Sequence, residues 1–218
     1  NYRDILLWNN QCEPFYQTVM GYNTDSGFGG DLSYGRVSYI ESHDEERNAY
    51  KAITYGQSWV KSDWSRTSKQ LQGAYCLHFL TPYPKMMWQF GELGYDYSIE
   101  YNGRTGKKPV KWDYLNNTHR KALFNAVSKA ITWRTEHEAM YSYESVSCTY
   151  NVGDGDFGGK HLIYSTPEGS VIVACNFGNS NVSFDITVPI TGTWQNLMTG
   201  KDITLGSKYN VSLSAGDY

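Results

Sequence analysis

The chain has 218 residues and a formal net charge of −3, with a sequence pI near 6.0. It therefore carries no electrostatic footprint for nucleic acid, and its length suits one large domain or two small ones. Hydrophobic residues make up 40%, enough for a packed core, and no apolar run approaches the length needed to cross a bilayer.

The first twenty residues hold apolar clusters at Ile5-Leu6-Leu7-Trp8 and Phe15-Tyr16-Val19-Met20, with Pro14 suited to open a short helix running to about Met20. A start at Asn1, without Met or signal sequence, leads us to expect a mature or truncated product. Gly21 to Gly35 is a polar, glycine-rich loop. Val37, Tyr39 and Ile40 then suit a buried strand over 37–42. Ser42 ends the apolar run, and the next five positions are His43, Asp44, Glu45, Glu46 and Arg47. Residues 47–63 are mixed and polar, and are expected to form an irregular excursion above the strand end.

Ser65, Thr67 and Ser68 supply N-cap candidates for a helix to about Leu80, with Leu71, Ala74, Tyr75, His78 and Phe79 on one face. Pro82 and Pro84 stop it. The run over 85–90 (Lys85-Met86-Met87-Trp88-Gln89-Phe90) reads as a buried strand. Gly91 to Leu115 is a long loop bearing Asp96, Glu100, Arg104, Lys107 and Trp112. A helix follows from Thr118 to about His137, with Leu123, Val127, Ala130, Ile131 and Arg134 in register. Alternating strands and helices with long loops after the strands point to a parallel α/β barrel.

After Met140 the rhythm becomes short β segments near 142–150, 160–165, 170–177, 181–188, 193–198, 201–205 and 208–214, punctuated by glycine turns. That pattern predicts an antiparallel β-sandwich over 141–218. Cys76 in a helical pattern and Cys175 in a strand pattern are expected to be buried thiols, and Cys12 and Cys148 show no metal-site spacing. Asp154-Gly155-Asp156 lacks the later glutamate of a calcium loop and reads as a hairpin turn.

The chemistry concentrates at His43-Asp44. A strand end is where an α/β fold places reactive groups, although a polar turn opening a solvated helix accounts for the spacing equally well. Tyr39-Ile40-Glu41-Ser42-His43-Asp44 resembles the motif that ends the seventh barrel strand in the α-amylase family of glycoside hydrolases, and Arg47 fits a common extension of it. Gly91-Glu92-Leu93-Gly94, after Lys85 to Phe90, resembles the family's eighth strand and the loop that follows.

The resemblance implies the last two strand–helix units of a (β/α)8 barrel over 1–140, followed by an all-β domain over 141–218. It further implies a retaining mechanism on α-1,4-glucans, with a nucleophile and a general acid on the fourth and fifth barrel strands. Those two motifs do not occur upstream of Tyr39, so the chain is expected to be a C-terminal fragment, inactive alone. Carried over, Asp44 is the third carboxylate, which stabilises the transition state, while His43 bonds sugar hydroxyls and Arg47 is a nearby sugar contact or charge partner. The partner is then an α-glucan, with no cofactor, metal or nucleic acid. The parent enzyme hydrolyses, branches or transglycosylates; compartment is open between secreted, periplasmic and cell-surface.

Three rival readings accompany this one. Asp44 and Glu92 at adjacent strand ends would form their own acid–base pair, although Glu92 in a glycine-flanked turn more commonly shapes the loop. Trp112 and Tyr114 would line a glucan groove, or simply pack. The whole chain would alternatively be a non-catalytic carbohydrate-binding or interaction protein. Finally, a piece with two barrel strands leaves apolar faces open, so self-association or a marginally folded first 140 residues is expected.

Overall fold

The computed structural model describes residues 38–44, 46–81, 84–141, 147–151 and 159–218. The expected segments before Ser38, and the Asp154-Gly155-Asp156 turn, lie outside these residues. Strand β1 (Ser38–Tyr39) is followed by α1 (Asn48–Tyr55), α2 (Ser58–Lys61) and α3 (Trp64–Phe79), and then by β2 (Lys85–Met86). β1 and β2 pair in parallel, with Ser38 opposite Lys85 and Tyr39 opposite Met86. Parallel neighbours need a long crossover, which the three helices supply. A loop with 3-10 turns at Gly91–Leu93 and Trp112–Asn116 leads to α4 (Thr118–Glu136).

Beyond α4 the described residues form antiparallel β structure in three small sheets. β3 (Ser147–Asn151), β4 (Gly159–Thr166) and β5 (Gly169–Asn176) make a meander. β6 (Val182–Thr187) pairs with β9 (Lys208–Leu213), and β7 (Gly192–Gln195) with β8 (Asp202–Leu205). Ile163, Ile186 and Val211 pack together and join β4 to the β6–β9 pair. Each of the seven expected β segments overlaps one of these strands, with 142–146 of the first lying outside the described residues, because alternating side chains and glycine turns are local signals.

Several expectations change. The stretch 47–63 is helical in α1 and α2, since Ala49, Ala52 and Val60 are buried on one side of short turns that composition alone hides. α3 is capped by Asp63, whose carboxylate accepts from Ser65 N at 2.9 Å, and not by Ser65, Thr67 or Ser68. The strand expected over 85–90 pairs only at Lys85 and Met86, both half-buried. Phe90 takes a left-handed φ of 60°, which ends any ladder and lets Leu93 N and Tyr95 N both bond its carbonyl.

α3 is buried nearly all round, not on one face. Leu71, Ala74, Tyr75 and Leu77 share a core with Leu123, Val127 and Ala130 of α4 and with Leu162, Tyr164, Val171 and Val173 of the meander. This core runs from the helices into the β structure without interruption at residue 140. The polar residues of α3 are therefore bonded internally: Thr67 to Val60 O at 2.9 Å, Ser68 to His119 O at 2.6 Å and Gln70 to Phe177 O at 3.1 Å. A Cβ on Gly73 would stand 3.3 Å from Cys175 Sγ, so glycine lets β5 lie close against the helix. Cys76 and Cys175 are free, buried thiols, as expected, and burial pushes Cys76 up to about 12.

Arg120 joins α4 to the loop after β2. Its guanidinium lies 4.1 Å from the Trp64 ring centre and 3.7 Å from that of Tyr114. It donates to Leu93 O at 2.9 Å and meets Asp96 Oδ2 at 2.7 Å. Removing one partner of such a part-buried pair leaves the other uncompensated, so Arg120→Ala is expected to destabilise the chain by about 3 kcal/mol. Arg120→Lys should recover little, since an ammonium cannot stack between two rings and bond a carboxylate at once. Urea unfolding at unchanged slope measures both; a shift near zero for Arg120→Ala would contradict the assignment.

Candidate functional site

The chain leaves β1 by turning inward first. Ile40 is buried, and Glu41 and Ser42 are each only 3% exposed. The Glu41 carboxylate accepts from Asn48 N at 2.8 Å and from Tyr75 Oη at 3.2 Å, and lies 3.5 Å from the Arg47 guanidinium. Asn48 Nδ2 donates to Ile40 O at 3.1 Å, closing the turn. A Cβ on Gly91 would fall 2.3 Å from Glu41 Oε1 and 2.2 Å from Tyr75 Oη, so only glycine fits there. Glu41 thus organises the site, a role not drawn from its place in the motif. A glutamate beside Ile40 in a run expected to be buried was the available signal.

Held from inside, the chain then turns outward. His43 and Asp44 project into solvent with side chains 67% and 69% exposed, and His43 Nε2 lies 3.1 Å from Asp44 Oδ2. Ser42 Oγ accepts from Asp44 N at 3.2 Å. The His43 ring centre is 5.5 Å from that of Trp88. Sequence reasoning missed Arg104, which crosses from the long loop to donate to Asp44 O at 2.9 Å, with Nη2 3.8 Å from Asp44 Oδ1 and Nη1 3.2 Å from Glu100 Oε1. It also missed Glu46, which holds that loop by accepting from Ser98 Oγ and Ile99 N, both at 2.8 Å. The contacts of Arg104 with Asp44 and of Glu46 with the loop join residues 52 to 60 positions apart, which no local pattern announces.

A cavity of about 260 Å³ lies against this cluster, bordered by His43, Trp88, Tyr97, Arg104, Lys107 and Lys108 among others. Arg47 also borders it, but its guanidinium is buried, pairs with Glu41, donates to Gln89 O and sits 4.9 Å from the Tyr95 ring centre. Its first duty is therefore structural. Tyr114 packs on Arg120 and bonds Asp96. Trp112 is 58% exposed and meets Phe90 edge-on at 4.9 Å. Among the described residues no three His, Cys, Asp or Glu side chains converge as metal ligands.

Glu92 occupies the 3-10 turn between the left-handed Phe90 and Gly94. Burial first, and the Glu41 charge second, raise its carboxyl above the ordinary range, against opposing pulls from the Glu92 backbone N–H and the Arg47 guanidinium. Its Oε2 is buried with no hydrogen-bond partner among the described residues. Glu92 thus keeps company with Glu41, Arg47 and Tyr75, while the Asp44 carboxylate stands in solvent. Nothing in this placement favours an Asp44–Glu92 acid–base pair.

No family model matches the chain, and no characterised sequence does. Solved structures do. An α-amylase from Geobacillus thermoleovorans, complexed with acarbose, is 14% identical with a TM-score of 0.66, over 99% of this chain and 44% of that one. A cyclomaltodextrin glucanotransferase with a three-domain arrangement is 14% identical with a TM-score of 0.67, over 99% of this chain and 41% of its own. A protein named AmyP, solved with maltotriose, is 14% identical with a TM-score of 0.58, over 82% of this chain and 39% of its own. The chain spans less than half the length of each. It shares the fold of α-amylase-family enzymes, and its antiparallel β structure fits a β-domain of that fold.

The raised Glu92 carboxyl has a consequence for stability. The folded chain holds that proton more tightly than the unfolded chain, so the contribution is intact in acid, below the unfolded carboxylate range. It is lost as pH rises through the folded value. Glu92→Gln, which mimics the protonated form, should therefore raise the thermal midpoint relative to the unmodified chain at pH 7 more than at pH 4. Melting curves at the two pH values measure this, and an equal effect at both would remove Glu92 as the cause.

Proposed function

We propose that the chain is the C-terminal portion of an α-amylase-family enzyme acting on α-1,4-glucans by a retaining mechanism. Residues 1–140 would complete a (β/α)8 barrel and 141–218 form a β-sandwich domain. The observation that carries this reading is the parallel pair β1–β2, which presents His43 and Asp44 beside a cavity bordered by Trp88, Tyr97 and Arg104, within a fold shared with such enzymes. Each of the two strands is followed by helices, as in a barrel's repeating unit.

In this reading a nucleophile and a general acid come from a preceding segment, and Asp44 is the third carboxylate. Its negative charge lies where the sugar becomes oxocarbenium-like, and a charge placed in advance needs no rearrangement as the transition state forms. His43, packed by Trp88 and paired with Asp44, presents a ring nitrogen to sugar hydroxyls. Arg47 acts through Glu41 by fixing the turn that aims both. A non-catalytic glucan-binding protein is the second reading; the exposed Tyr39, Tyr101 and Trp112 favour it as stacking surfaces.

The coding sequence upstream of Asn1 separates the readings most directly, because the first requires two further strand-end carboxylates there. In solution, the isolated chain should release no reducing sugar from maltooligosaccharides. In the intact enzyme Asp44→Asn should lower turnover by several orders of magnitude with the fold intact, and His43→Ala by roughly ten- to a thousand-fold. Turnover by the isolated chain that disappears with Asp44→Asn would overturn the proposal.

The same reading bears on association. β1 and β2 are two residues each, Tyr39 is 42% exposed, and Met86, Met87 and Trp88 are only half-buried. The isolated chain is therefore expected to self-associate through this edge. Light scattering on the eluting peak tests it; a monodisperse monomer would show that the edge is closed some other way.

A further inference from the structure

The loop that carries Arg104 is wrapped around a single ammonium group. Lys108 Nζ donates to Tyr101 O at 2.8 Å, Gly103 O at 2.7 Å and Gly106 O at 3.1 Å, and lies 3.4 Å from Arg104 O. The backbone is shaped for that convergence. Asn102 and Gly103 have φ of 57° and 75°, Gly103 N bonds Glu100 O at 2.9 Å and Gly106 N bonds Gly103 O at 3.0 Å. A Cβ on Gly106 would fall 1.8 Å from Asn102 O. Carbonyl dipoles pointed at one centre repel each other unless a cation sits among them, and an oxygen cage is how a hard metal ion is held. Pro109, the next residue, is anchored because Tyr95 Oη donates to its carbonyl at 2.6 Å.

We propose that Lys108 is the positioning residue of the candidate site, its ammonium standing where another protein would bind a metal cation at the centre of the 101–106 loop. The ammonium holds the Gly103 and Gly106 carbonyls on either side of Arg104, whose own carbonyl lies 3.4 Å away, so it fixes the backbone from which the Arg104 side chain reaches the Asp44 carbonyl at 2.9 Å. The consequence for glucan binding rests on the function proposed above; the loop-clamping role does not.

The test uses the full 218-residue chain and three variants, with amide hydrogen exchange, glucan titration and added cations. Lys108→Ala should speed exchange of the amides at 101–106 by about tenfold or more, since even one charge-assisted hydrogen bond is worth that factor. Amides of β4 and β5 serve as the internal control for folding and should not change. Maltotriose binding should weaken by a similar factor. Methylammonium or potassium chloride at tens of millimolar should restore loop protection in Lys108→Ala, while tetramethylammonium, too large and without donors, should not. Lys108→Arg should keep part of the protection. Arg104→Gln should lose maltotriose affinity with the loop protected and with no rescue by cations. Unchanged exchange in Lys108→Ala, or a loss that no small cation restores, would overturn the proposal. If the unmodified chain binds no maltotriose, exchange and rescue still decide the role of Lys108.

Discussion

A carboxylate buried at the end of a short strand has to be satisfied from within the protein, and Glu41 sets this condition on everything around it. Desolvating an ionised carboxylate costs several kcal/mol unless donors and an opposite charge replace the water. Its partners come from three places: the first amide of α1, the Tyr75 hydroxyl in the middle of α3, and the Arg47 guanidinium. The α1 N-terminus has no side-chain cap of its own, so Glu41 also supplies the negative charge that a helix start favours. The turn after β2 then has to pass so near that only Gly91 fits. Once this knot is tied, Ser42 is inside and His43 and Asp44, next in sequence, have one direction left.

α3 is the second constraint. A helix that is buried on nearly every side and yet contains Thr67, Ser68, Gln70 and Gln72 needs fixed partners for their donors, and each donor has one, while Gln70 Oε1 has none among the described residues. Those partners come from α2, α4, the helix itself, the C-terminal residues and Phe177, just past the end of β5. Gln72 accepts from Tyr218 Oη at 2.8 Å, and Lys69 pairs with Asp217 at 2.7 Å. The β structure is thereby docked on the helix by specific bonds as well as by the shared apolar core. A change in this dock would reach the site through Tyr75, which belongs to both.

The site itself is built from two stretches with opposite characters. Ile40, Glu41, Arg47 and Asn48 are held by buried hydrogen bonds and an ion pair, while residues 95–108 form a loop that needs a carboxylate, Glu46, and an ammonium, Lys108, to keep one shape. Function on a shared fold resides in such details and not in the fold. Here Arg104 stands 3.8 Å from the exposed Asp44 carboxylate, and Lys107 and Lys108 border the adjacent cavity.

The sequence by itself determined what depends on neighbours along the chain. The seven β segments followed from alternation and glycine turns, α4 from its 3.6-residue period, the buried thiols from their patterns, and the His43-Asp44 exit from an apolar run that stops. The fold relationship was legible in Tyr39 to Asp44 and Gly91 to Gly94, and the shared fold agrees with it. Tertiary structure alone decided the rest. The helices within 47–63 form because distant residues bury Ala49, Ala52 and Val60, and the strand over 85–90 shrinks to two residues because Phe90 turns left-handed to pack on Tyr95. Arg47, read as a sugar contact or a charge partner, pairs with the buried Glu41, because a charge in the interior needs an opposite charge beside it. Arg104 and Lys108 meet Asp44 and the loop carbonyls only when the long loop folds back over β1, a closure whose contacts are separated by tens of residues and leave no period in the sequence.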